Sequence, residues 1–182
     1  GYLPMHAKMP SPGKEQELAA AKAGQMIYAA AGITTAQEGA TTLPMLQQLQ
    51  RVAAQDGLII DVIAYPFITD LEAILKDNPP ASFGSYNKGL KLGGCKVTID
   101  GSPQGKTAWF TTPYLTGGPG GEKDWKGEPG IPVDAMRAMV KTCYDNNLQT
   151  LMHGTGEAAM PKGLSPETAR LVEAARDLGR GR

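Results

Sequence analysis

Apolar positions along this chain recur in two rhythms, one with helical spacing and one with the near-continuous runs of buried strands. From Glu15 to Ala31 the run EQELAAAKAGQMIYAAA places Leu18, Ala21, Gln25 and Tyr28 at helical intervals, and Gly32 fits the position just past a helix end. The β-branched stretch Ile33–Gln37 predicts a short strand. Leu43–Gln55 predicts a second helix, with Leu46, Leu49 and Val52 on one face and Gly57 after its end. Leu58–Tyr65 (LIIDVIAY) is the clearest strand, nearly continuous in apolar residues as expected where both faces are covered. Thr69–Lys76 predicts a short helix closed by Asn78-Pro79-Pro80, and residues 92–100 (LGGCKVTID) a third strand.

A long loop then passes through Gly117-Gly118-Pro119-Gly120-Gly121 to about Gly130. This loop is expected to be more mobile than its flanks, with Trp125 its anchor if it orders. Pro132 suits the first residue of a helix reaching Asp145, and Leu148–His153 (LQTLMH) forms a fourth strand. Helices and strands alternate throughout. Such alternation argues for parallel βα units, arranged either as a (β/α) barrel or as an open doubly wound sheet. The tail departs from the pattern: Pro161-Lys162-Gly163 breaks the chain, and Ser165-Pro166-Glu167 opens a separate helix with Leu171, Val172, Ala175 and Leu178 apolar. Two units follow: an α/β domain over 1–160 and a helical tail over 161–182.

The 182 residues suffice for one core, and the net charge of zero without a long run of one sign leaves no electrostatic footprint for nucleic acid. No apolar run reaches the ~18 residues of a membrane span. Cys95 and Cys143 are far apart; they could pair, but buried free thiols are the expected reading, which points to a reducing compartment and a cytoplasmic protein.

Three features carry candidate chemistry. Gly101-Ser-Pro-Gln-Gly105-Lys106-Thr107 resembles a phosphate-binding loop. However, only three residues separate its glycines where four are needed, and AWFTTPYL after it is not helical, so a turn-rich segment is the better reading. His153 ends an apolar strand, the place where α/β proteins build their sites, although a lone histidine is commonly structural. Lys96 lies within a strand, where its charge is costly to bury unless it is paired or chemically altered; an outward-facing lysine is the alternative. His6, in the N-terminal loop, has no ligand-spaced partner. Trp109, Phe110, Tyr114 and Trp125 cluster around the Gly-rich loop, as a substrate lid or as ordinary loop packing.

Three stretches, AGITTAQEGAT (31–41), LGGCKVTIDGSPQGKTAWFTTPY (92–114) and LQTLMHGTGEAAM (148–160), resemble the family-3 amidohydrolases, the group of YtcJ-like proteins and N-substituted formamide deformylase. The second is the most specific, matching a Gly-Lys-hydrophobic-x-x-Asp-Gly-Ser…Thr-Ala…Pro-Tyr signature almost throughout, with Cys95 standing between the glycine and Lys96. The third matches His-x-x-Gly-Asp, except that Glu157 stands where Asp is usual. The resemblance implies a partial TIM-type (β/α) barrel with parallel strands, about strands 2 to 5 of the family barrel.

It also implies a divalent metal, zinc first, with one or two ions in the complete family site. Lys96 would be the lysine that is often carboxylated and then binds metal, and His153 the strand-five ligand. The metal would polarise a carbonyl and activate water toward an amide-type carbon. The family's His-x-His pair, a later His and a later Asp have no counterpart here, and a full barrel typically needs ~200 to over 400 residues. The expectation is therefore an internal piece of a carbon–nitrogen hydrolase, inactive alone, that acts on a small amide or formamide substrate once complete. Its exposed strand edges favour a homo-oligomer or the missing remainder of the barrel. The alternative is a non-catalytic α/β domain that binds a small molecule or a partner on the same scaffold.

Overall fold

The computed structural model describes residues 13–159. The predicted tail helix, the arm carrying His6 and the proposed boundary at residue 160 lie outside the described residues. The elements run α1 (Lys14–Ala30), β1 (Thr35–Thr41), α2 (Leu43–Ala54), β2 (Asp61–Pro66), α3 (Leu71–Asp77), β3 (Tyr86–Asn87), β4 (Leu90–Leu92), β5 (Cys95–Thr98), α4 (Val133–Asp145) and β6 (Thr150–His153). Single 3-10 turns at Pro80–Ser82 and Glu157–Ala159 complete the described chain.

β1 pairs parallel with β2, β2 with β4, and β5 with β6. A parallel bridge between Phe67 and Lys96 and a hydrogen bond from Ile68 N to Lys96 O (2.9 Å) join the end of β2 to β5. The parallel strands thus follow one another in chain order, β1, β2, β4/β5, β6, with helices between. This is a mixed α/β fold with a run of parallel βα units, and the described strands do not close into a barrel. β1 and β6 each pair along one side only among the described residues.

The helices cover one face of this sheet. Leu46, Ala53 and Ile74 of α2 and α3 pack on Val62, Ala64, Leu90 and Leu92. Met136, Val140 and Cys143 of α4 pack on Cys95, Val97 and Ile99. The apolar spacing along α2 and α4 accounts for this arrangement, since residues three and four apart share a helix face. Asp70, just before α3, accepts the Leu43 amide at 2.7 Å and so satisfies one free donor at the start of α2.

Four sequence expectations need correction. The first strand runs to Thr41, not Gln37, because Glu38 and Thr41 still pair with Ala64 and Pro66 across an irregularity at Gly39–Ala40. Leu58–Ile60 are not strand: the buried Gln25 side chain of α1 accepts the amides of Ile59 (2.7 Å) and Ile60 (3.2 Å) and donates to Gly57 O (3.0 Å), doing what a neighbouring strand would do. The third strand is split into β4 and β5 at Gly93-Gly94. Gly94 adopts φ +153 with its α-carbon against the Gln149 carbonyl, where no side chain fits. Before it, Lys88 (φ 50) and Gly89 (φ 80) form a two-residue turn that folds β3 back antiparallel on β4.

The fourth correction concerns the cysteines, which are not free thiols. Both are fully buried and joined by a disulfide between β5 and α4, with Cα atoms 6.4 Å apart. The helix and strand that share one hydrophobic cluster bring them together, although they lie 48 positions apart in sequence. The sequence-based ground for a reducing compartment falls with this pairing.

Candidate functional site

In the β5–β6 pair, Lys96 lies opposite Leu151 and Thr98 opposite His153. Side chains alternate between the faces of a strand. Cys95 and Val97 therefore face α4, while Lys96, Thr98, Leu151 and His153 share the face that carries no helix among the described residues. Phe67, bridged to Lys96, shares that face too. Lys96 and His153 thus sit on neighbouring strands and on one face, offset by two residues, about 7 Å of strand rise. Lys96 lies inside its strand and His153 at the C-terminal end of its own, so only the histidine occupies a strand end.

Their surroundings differ. Lys96 is half-buried between Phe67 and Leu151, its Nζ without a hydrogen-bonding or ionic partner among the described residues, and burial lowers its pKa below the usual lysine value. His153 is exposed, and its Nε2 lies 3.2 Å from the Thr155 hydroxyl. Among the described residues no three His, Cys, Asp or Glu side chains gather into a group that could hold a metal ion.

Sequence reasoning missed a buried polar group that ties the region together. Asp100, 2% exposed just past β5, accepts three backbone amides: Trp109 N (2.7 Å) and Gly156 N (2.8 Å) at Oδ2, and Thr155 N (2.8 Å) at Oδ1. It joins the loop after β5 to the loop after β6. The signal was present as Asp-Gly directly after a strand, with Gly101 closed against Thr107, and Gly156 so close to the Trp109 carbonyl that a Cβ would collide. Glu157 makes a second tie between the same loops. Its Oε1 accepts both the Thr111 hydroxyl (2.7 Å) and amide (2.8 Å), and these bonds lower its pKa. The Glu at this position thus has a defined partner.

The segment 101–107 turns back on itself and spends its polar groups internally. Gly101 N bonds Thr107 O, Thr107 N bonds Ser102 O, and Gly105 N bonds the Ser102 hydroxyl, so these amides are not turned toward a phosphate. The Gly-rich loop beyond it follows a defined path. Trp125 anchors it as expected, its Nε1 donating to Lys106 O at 2.6 Å, while Phe110 N and Tyr114 N bond Lys126 O and Trp125 O. The Phe110 and Tyr114 rings meet edge to face at 5.1 Å.

Fold and site together define an α/β protein of successive parallel strands, with its polar residues gathered where the loops after β5 and β6 meet. The chain belongs to the Amidohydrolase family, whose model matches residues 2–181 and so runs on past Met160. No curated protein matches it. Among solved structures it is similar to an uncharacterized metal-dependent hydrolase from Pyrococcus horikoshii OT3. The TM-score is 0.65 and the identity 17%, over 91% of this chain and 31% of that one. It is also similar to an uncharacterized metal-dependent hydrolase from Pyrococcus furiosus, with a TM-score of 0.63 and 20% identity over 85% of this chain and 30% of that one. The chain thus spans about a third of the length of these structures.

Proposed function

We propose that this chain supplies Lys96 and His153 to the metal site of a hydrolase that cleaves carbon–nitrogen bonds of the amide or formamide type. In this reading it is part of a longer YtcJ-like (β/α)₈ barrel. The observation that carries the reading is the common face of Lys96 and His153 on adjacent strands, which one shared site requires. Family membership and the likeness to two metal-dependent hydrolases support the same class.

The two side chains suit a divalent metal, zinc first, as part of a ligand set. Burial between Phe67 and Leu151 disfavours the charged ammonium of Lys96. The neutral amine is the form that adds carbon dioxide, releasing a proton and leaving a carbamate whose oxygens can bind metal. With Nε2 of His153 held by Thr155, Nδ1 is the ring nitrogen without a partner among the described residues. A bound metal would supply polarisation of an amide carbonyl and a more acidic water. The chain's own residues would position and enclose it: Phe67 and Leu151 shield the lysine, while Asp100 and Glu157 hold the two loops that rim the face.

Catalytic zinc sites generally use about three protein ligands plus water. Two ligands make the chain on its own a weak metal binder with little or no amidase activity, and they leave Lys96 uncarboxylated. The test is zinc titration with elemental analysis of the purified chain, alone and as His153→Ala. Weak binding abolished by the substitution is expected. Tight stoichiometric zinc that survives His153→Ala would overturn the assignment.

A further inference from the structure

We infer that Asp100 is a positioning residue for His153, acting through Thr155. This deepens the reading of His153 as a ligand and rests on it for its functional meaning, but the geometry stands by itself. His153 is the last residue of β6, and nothing in a strand end fixes the rotation of an exposed ring. Two positions on, Thr155 offers its hydroxyl to Nε2 at 3.2 Å. A threonine in an irregular, exposed loop would ordinarily not hold that position. Here its own amide, and that of Gly156, are fixed by the two oxygens of Asp100, each at 2.8 Å.

The anchor is firm because Asp100 is only 2% exposed and accepts a third bond from Trp109 N, tying the assembly to the loop after β5. Gly156 lets the chain come this close, since any Cβ there would strike the Trp109 carbonyl. Buried carboxylate, loop amide, hydroxyl and imidazole thus form one continuous path. Such a path has the form of the outer-shell support that fixes which ring nitrogen a ligating histidine presents.

The chain holds only two histidines, His6 and His153, so the ring nitrogens of His153 can be assigned by nitrogen-15 NMR with His6→Gln as reference. At one fixed pH, His153 should show a single dominant tautomer with a hydrogen-bonded Nε2. Thr155→Val should lose that signature and Thr155→Ser should retain it. Asp100→Asn, which removes one of the two acceptor oxygens, should lose it as Thr155→Val does while far-UV circular dichroism stays unchanged.

An Nε2 signal unmoved in Thr155→Val, or unmoved in a folded Asp100→Asn, overturns the proposal. Should Asp100→Asn fail to fold, hydrogen exchange in the unsubstituted chain decides: slow exchange at the Thr155 and Gly156 amides supports the anchor, and free exchange overturns it. Zinc added to the same samples separates the two readings. If ring signals respond to Thr155 and Asp100 but not to zinc, the positioning role stands and the metal reading fails. If zinc does bind, Thr155→Val should weaken it by about 10- to 100-fold.

Discussion

The Gly156 amide donates to Asp100 Oδ2 at 2.8 Å across 56 positions of sequence, and this bond closes the loop after β6 onto the loop after β5. With Trp109 N and Thr155 N on the same carboxylate, the side chain satisfies three donors at once. Orphaning a buried donor costs about 1–3 kcal/mol, and some of these amides would recover water. Asp100→Ala should therefore destabilise the chain by about 3 kcal/mol or more. Urea unfolding measures this, and a loss below about 1 kcal/mol would show that the three bonds are not held in solution.

Gly156→Ala tests the same closure from the other partner. The added methyl meets the Trp109 carbonyl, which is backbone and cannot swing aside. Overpacking of this kind costs about 1–3 kcal/mol, and the loss should appear as a lower thermal midpoint. Gly39→Ala is the control, since a Cβ there meets nothing within 4 Å.

The fold was legible in the sequence where burial wrote it plainly. Helical spacing in α2 and α4 located both helices to within a residue or two, and the alternation of elements implied parallel pairing. What stayed hidden depended on partners distant in sequence. Leu58–Ile60 carry every local mark of a strand, yet the Gln25 side chain takes the amides of Ile59 and Ile60. The break at Gly93-Gly94 arises because Gly93 packs against Tyr65 and Gly94 against Gln149, contacts that no local pattern encodes. The pairing of Cys95 with Cys143 needs the packing of α4 on β5. In the site, the family resemblance singled out Lys96 and His153, whereas Asp100, part of the same signature, received no role because its three partners are backbone groups, which leave no side-chain pattern.

The Cys95–Cys143 bond should be visible in the intact mass of the oxidised chain, which falls short of the reduced chain by two hydrogen atoms. Closing a 48-residue separation removes unfolded-state freedom worth roughly 4 kcal/mol in the chain-entropy account. Reduction, or the pair Cys95→Ala with Cys143→Ala, should lower stability toward that figure. An unchanged urea midpoint on reduction would mean that the bond does not form in solution.

Glu157 gives the rim of the site a pH dependence of defined sign. Hydrogen bonds from Thr111 lower its pKa below the ordinary value of 4.5. The carboxylate therefore contributes stability that is complete above 4.5 and is lost as pH falls through its folded-state value. Relative to its intrinsic rate at each pH, the Thr111 amide should be protected at neutral pH and lose that protection in acid, with the change abolished in Glu157→Gln. Equal exchange in the variant and the parent at neutral pH would remove Glu157 as the tie between the loops.

Lys96 titrates in the opposite sense. Its pKa is lowered from 10.5 by burial alone, so the folded chain releases this proton more readily than the unfolded one. Below the folded-state value the penalty of a half-buried ammonium is present in full. Between that value and 10.5 stability rises with pH, because there the unfolded state binds more protons. Lys96→Met keeps the stem between Phe67 and Leu151 and removes the charge. The variant should therefore be more stable than the parent at neutral pH, with the difference shrinking toward pH 10.5. Urea midpoints across that range measure it, and a variant less stable than the parent at neutral pH would mean that Lys96 has an anionic partner holding its charge. In that case the neutral amine needed for carboxylation would not form, and Lys96 would drop out of the metal site.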